Sequence, residues 1–118
     1  MTTTIFHNPQ CSKCRGAMAI LEARGIAPKV IEYLKTPPDR ETLARILSLL
    51  GGPPGALVRR DSRYKELGLK ESDHATREQV IEILLRHPEL MERPVVIVGD
   101  RAVIGRPPER IEELLDDE

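Results

Sequence analysis

Tryptophan is absent from this 118-residue sequence, and its aromatic side chains are limited to Phe6, Tyr33 and Tyr64. An interior with so few rings has to be packed from Leu, Ile, Val and Ala. The same scarcity excludes an aromatic stacking platform for single-stranded nucleic acid. Positive charge is not in excess either: 18 Lys and Arg face 19 Asp and Glu, a formal net charge of −1. No broad positive field is available to hold a nucleic-acid backbone or an anionic membrane, so direct nucleic-acid binding is not expected. Apolar runs long enough to span a bilayer are missing, and Met1 to Phe6 lacks the basic start and apolar stretch of a signal peptide. A cytoplasmic protein with no membrane partner is the expectation.

Cysteine is scarce as well, with Cys11 and Cys14 alone in a C-x-x-C spacing. In a reducing compartment, such a pair points to redox turnover or metal binding rather than to a structural disulfide. A closed zinc site needs four ligands. His7, Cys11 and Cys14 supply three, and there is no second C-x-x-C, so no metal is expected. His74 and His87 read as a loop residue and a helix terminus.

The length and the 40% hydrophobic content fit one compact domain over residues 1–118 with its own core. Thr3 to Phe6 reads as a strand stopped at Asn8-Pro9. Cys14, Ala17, Met18 and Leu21 then fall at helical spacing up to Gly25, and Lys29 to Tyr33 reads as a second strand. Thr36-Pro37-Pro38-Asp39 has capping-box spacing before a helix with Leu43, Ile46, Leu47 and Leu50 on one face. Thr76-Arg77-Glu78-Gln79 repeats that pattern before Val80, Ile83 and Leu84, and His87-Pro88 stops the helix. Val95 to Val98 reads as a strand buried on both faces. Gly99-Asp100 turns into a partner strand at Ala102 to Ile104, and a last helix runs from Glu109 to about Leu115, with an acidic close at Asp116-Asp117-Glu118. The order is β-α-β, a helical insertion at about 37–90, then β-β-α. The simplest packing is a mixed sheet with helices on its faces.

Cys11 lies where the first strand gives way to a helix. There the unpaired backbone N–H groups and the helix dipole favour a thiolate. Lys13, Arg15 and His7 are expected to add positive charge, so the thiol pKa should lie below that of free cysteine. Strand ends are also where open α/β sheets place their sites, which favours a reactive Cys11 over a buried, inert one. Cys14 has two readings, as first member of the inward stripe or as a resolving thiol one turn away.

Four segments together carry a resemblance: H-N-P-Q-C at 7–11, A-L-V-R at 56–59, H-P-E-L-M-E-R-P at 87–94 and G-R-P-P-E at 105–109. With Tyr64 to Leu69, they make the chain resemble the glutaredoxin-dependent arsenate reductases over nearly its whole length. The resemblance implies an α/β, thioredoxin-like mixed four-stranded sheet flanked by helices, with a helical insertion between its halves. It implies that Cys11 attacks arsenate or a similar oxyanion, flanked by His7 and Asn8. Arg59, Arg93 and Arg106 would hold the anion, and glutathione with glutaredoxin would return the electrons without a bound cofactor. Forked, permanently charged guanidinium groups suit that task, since an oxyanion approaching a thiolate meets repulsion that they cancel. Arg60 competes with Arg59 for the assignment. The resemblance also implies a cis peptide bond at Arg93-Pro94.

Family members typically lack a cysteine at position 14, so an internal Cys11–Cys14 disulfide could stand in for glutathione, with thioredoxin as donor. The C-S-K-C-R segment also resembles the Spx proteins, redox-sensing regulators that bind RNA polymerase. A related thiol reductase with another substrate is a further alternative. A monomer is expected.

Overall fold

The computed structural model describes residues 2–115, so the acidic close at Asp116-Asp117-Glu118 lies outside the described residues. Its elements follow in the order β1 (Thr3–His7), α1 (Ser12–Ala23), β2 (Lys29–Glu32), α2 (Arg40–Leu50), α3 (Ser62–Glu66), α4 (Arg77–Arg86), β3 (Val95–Val98), β4 (Arg101–Ile104) and α5 (Glu112–Leu115). Short 3₁₀ turns occupy Pro54–Leu57, Glu71–His74, Pro88–Leu90 and Pro108–Ile111. The chain divides into two compact units, one formed by Pro37–Glu92 and the other by the segments on either side of it.

The sheet unit is a mixed four-stranded sheet in the order β2-β1-β3-β4. β1 pairs parallel with β2 and antiparallel with β3, and β3 pairs antiparallel with β4. A sheet of this order flanked by helices is the thioredoxin-like arrangement. All four residues of β3 are buried, as its unbroken apolar run requires of a central strand. Gly99 makes the β3–β4 turn at φ 61°, a conformation that side chains with a Cβ rarely adopt. One face of the sheet packs through Ile5, Val96, Val98 and Val103 against Ala17 and Leu21 of α1 and against Ile111, Leu114 and Leu115. The α1 stripe is therefore as its spacing predicts, except that Met18 is only half buried. β2 ends one residue earlier than expected, and Tyr33 beyond it is buried instead of continuing the strand.

In the helical unit, α2 packs against α4. Arg40 reaches Glu78 and Glu82, and Arg77 donates to the carbonyl oxygen of Ala44 and the hydroxyl of Ser48. The capping box before α4 forms as read: Gln79 N–H donates to Thr76 Oγ1 at 3.2 Å, and Thr76 N–H donates to Gln79 Oε1 at 3.0 Å. The one read at Thr36 does not. α2 starts four residues later, and Asp39 is its cap, accepting from Thr42 N–H at 2.8 Å. On α4, Ile81 is buried in place of Ile83, with Val80 and Leu84 as expected.

Gly105 shows how closely the sheet unit is fitted around Pro94. A Cβ there would lie 3.0 Å from Pro94 Cγ and 3.3 Å from Ile111 Cδ1. Gly105→Val should accordingly destabilise the protein by about 1–3 kcal/mol through overpacking, read as a lower urea midpoint with an unchanged slope.

Candidate active site

β1 ends at His7, and the turn that follows is built from backbone and amide groups. Cys11 N–H donates to Asn8 O at 3.0 Å, and Gln10 N–H donates to Asn8 Oδ1 at 3.0 Å. Arg15 reaches back to Pro9 O at 3.1 Å, while its own N–H makes the first helical bond to Cys11 O. Cys11 is thus the residue immediately before α1, in an extended conformation, with the helix N-terminus behind its sulfur.

Cys11 is 7% exposed. Burial is the largest influence on it and pushes the thiol pKa up. The N–H of Cys14, the Arg93 side chain, the Cys14 thiol and the N–H of Lys13 act against burial and bring the pKa down to about 7. The expected direction holds, but by different means. Lys13 acts through its backbone N–H, and Arg15 is turned toward Pro9. His7 adds no cation at neutral pH. Burial lowers its pKa below the ordinary value, only partly offset by the neighbouring Glu32 carboxylate, so the imidazole is neutral.

Cys14 is fully buried, and burial pushes its pKa up to about 12; the Cys11 sulfur adds to the rise. It belongs to the apolar stripe of α1 and also faces Cys11 as a protonated thiol. Both cysteines are free.

Sheet register brings Arg93 to this place. β1 and β3 pair Phe6 with Val95, so continuing the ladder sets Arg93 across from Asn8. β3 and β4 pair Val95 with Ile104, and Gly105 N–H donates to Pro94 O at 2.8 Å; Arg106 follows in a turn, its N–H donating to Ile104 O at 2.9 Å. Arg93 is only 8% exposed, and its Nε has no hydrogen-bond partner within the protein. A buried guanidinium with an unused donor beside a thiolate can receive an anion. Arg93-Pro94 is cis, as expected, and so is Arg106-Pro107, which was not anticipated.

Arg59 and Arg60 belong to the helical unit. Arg59 pairs with Asp61 at 3.0 Å, and its N–H donates to Leu90 O at 2.7 Å. The Arg60 guanidinium is committed locally, to both oxygens of Glu71 at 2.9 and 3.3 Å and to the carbonyls of Gly55 and Val58 at 3.1 and 2.9 Å. Those bonds brace the loop that carries Arg59. His74, read as a loop residue, ends the 3₁₀ turn Glu71–His74. It is buried and lies 2.7 Å from Tyr64 Oη in the same network, because that turn points it inward. Among the described residues, no three His, Cys, Asp or Glu side chains cluster as metal ligands would.

A family profile described as "ArsC family" matches residues 6–114. The chain belongs to that family. An arsenate reductase of Neisseria meningitidis serogroup B is 44% identical over 113 residues, covering 94% of this chain and 96% of the relative. The "Uncharacterized protein YfgD" of Escherichia coli is 42% identical over 113 residues, covering 94% of each. Among solved structures, an arsenate reductase from Vibrio cholerae superposes with a TM-score of 0.87 at 42% identity, covering 96% of this chain and 97% of the other.

The ionisation of Cys11 has a direct readout. Alkylation of Cys11 by iodoacetamide should rise with pH around a midpoint of about 7. Well below the midpoint it should fall about tenfold per pH unit as the thiolate is lost. Arg93→Met removes a group that favours the thiolate, so the midpoint should move upward toward that of a free thiol.

Proposed function

We propose that this chain is a thiol-dependent arsenate reductase of the cytoplasm, with Cys11 as the nucleophile. The observation that carries the reading is the Cys11 thiol, brought to about 7 at the start of α1 and hydrogen-bonded by a buried arginine that keeps an unused donor. Family membership and a relative bearing the name arsenate reductase support the substrate.

In this reading, Arg93 and Arg106 gather the oxyanion against the sulfur and offset the repulsion between two negative groups. For Arg59 the support is the resemblance alone. Asn8 holds the turn that presents Cys11 through its carbonyl and amide oxygens, and for His7 the support is the resemblance alone. The Cys11 thiolate bonds to arsenic, and one arsenate oxygen leaves as water. A second thiol then attacks the Cys11 sulfur. The electron pair of the sulfur–arsenic bond stays on arsenic, which becomes As(III), and a disulfide remains. Dihydrogen arsenate, two thiols and a proton thus yield arsenous acid, a disulfide and water.

The second thiol is assigned to glutathione, with glutaredoxin regenerating Cys11. Cys14 is a poor candidate because only a thiolate attacks, and its burial keeps it protonated. Its contribution is a hydrogen bond to the Cys11 sulfur.

Arsenate-dependent NADPH oxidation in a coupled assay with glutathione, glutaredoxin and glutathione reductase tests the reading. Wild type should turn over and Cys11→Ser should not; turnover retained in Cys11→Ser sinks the mechanism. A regulator that only binds RNA polymerase would show no arsenate-dependent consumption. Cys14→Ser keeps a hydrogen-bond donor and should retain glutathione-supported turnover within about threefold. If that variant is inactive, or if thioredoxin alone supports the wild type, the internal disulfide is the correct route.

A further inference from the structure

A concavity opens on the strand side of the Cys11 turn, with a volume of about 260 Å³. His7, Pro9 and Gln10 line one wall, and Glu32, Leu34 and Lys35 line the other. We propose that this cleft seats the amino-acid end of the small thiol that reduces the site, a zwitterion of the γ-glutamyl type carried by glutathione. The inference rests on the reading of Cys11 as a thiol-reduced nucleophile and names the seat of its reductant.

Charge comes first. The cleft offers a carboxylate, Glu32, and an ammonium, Lys35, held together only by an exposed i,i+3 contact of 3.4 Å. Such a pair contributes little in water and is readily exchanged for ligand charges. A zwitterion satisfies both, its ammonium on Glu32 and its carboxylate on Lys35. A bare oxyanion would be repelled by Glu32, which separates this cleft from the arginine side of the turn.

The second observation is a buried orphan. His7 is 9% exposed, and its Nδ1 has no hydrogen-bond partner within the protein. Register pairs His7 with Glu32 across β1 and β2, and both residues line the cleft. Buried polar atoms normally have partners, and a ligand amide or amine supplies one here. Leu34, 50% exposed, and Pro9 give an apolar side for a methylene chain. The volume suits one amino-acid unit and falls short of the usual range for a drug-sized ligand. Gln10 is adjacent to Cys11, so the rest of a bound thiol lies close to the reacting sulfur.

The probe is S-methylglutathione, which cannot reduce the protein, titrated calorimetrically into wild type, Glu32→Gln and Lys35→Ala. Both positions are surface-facing, so neither substitution threatens the fold. Wild type should bind, and each substitution should weaken binding about fivefold, the size of one charge-assisted contact. No binding by wild type, or equal binding by all three proteins, overturns the proposal. In arsenate turnover, the ratio of kcat/KM with glutathione to that with 2-mercaptoethanol, which has no amino-acid end, should fall by a similar factor in each variant. An unchanged ratio overturns the cleft assignment and leaves the reductase reading intact. If no thiol supports turnover, the reductase reading fails and the titration alone decides the cleft.

Discussion

Burial acts more strongly on the Cys11 sulfur than any other single influence, and it opposes the charge the sulfur needs. A nearly buried thiolate persists only where donors have been arranged around it beforehand. The rest of the sheet unit can be understood as that arrangement. The Asn8 turn sets the sulfur at the start of α1, two backbone N–H groups of the first helical turn face it, and a protonated Cys14 and the Arg93 guanidinium complete the set. Only some of these donors are local. Arg93 lies 82 positions along the chain and arrives through the antiparallel pairing of β1 with β3.

That pairing also explains the concentration of constraint around Pro94. Gly105 fits here with little room to spare, because a Cβ would press on the proline ring and Ile111, and its N–H closes the ladder onto Pro94 O. The contact between β3 and β4 thus continues one step past the strands, to Pro94 and Gly105. Arg93 and Arg106, which look like ordinary surface charges in the linear sequence, lie just outside these two paired strands, Arg93 two residues before β3 and Arg106 two residues after β4.

The helical unit solves a different problem, holding an arginine-bearing loop in one shape with little regular structure. Arg60 does this by bonding to two loop carbonyls and to Glu71, while Tyr64 and the buried His74 complete the network. Neighbouring arginines therefore have different tasks. Arg60 is used up within its own loop, and Arg59 makes one ion pair with Asp61.

Much of this was legible from residue order, and the reason is consistent. Periodicity and end signals are local, so the α1 stripe, the buried β3 run, the Gly99 turn and the Thr76 capping box could be read directly. Where two local signals competed, the nearer one prevailed: Asp39 caps α2, although Thr36 had the right spacing. The position of Cys11 before α1 and the direction of its pKa were likewise local inferences, from a thiol at a strand-to-helix turn. The composition of its surroundings was not. Whether His7 is charged, which arginine faces the sulfur, that Arg60 is spent on its own loop and that His74 is buried all depend on burial and register. Sequence by itself determined most of the elements and singled out Cys11 at the strand-to-helix turn. Only the tertiary structure decided the electrostatics, because desolvation and pairing between distant strands set the charge states at Cys11, Cys14 and His7.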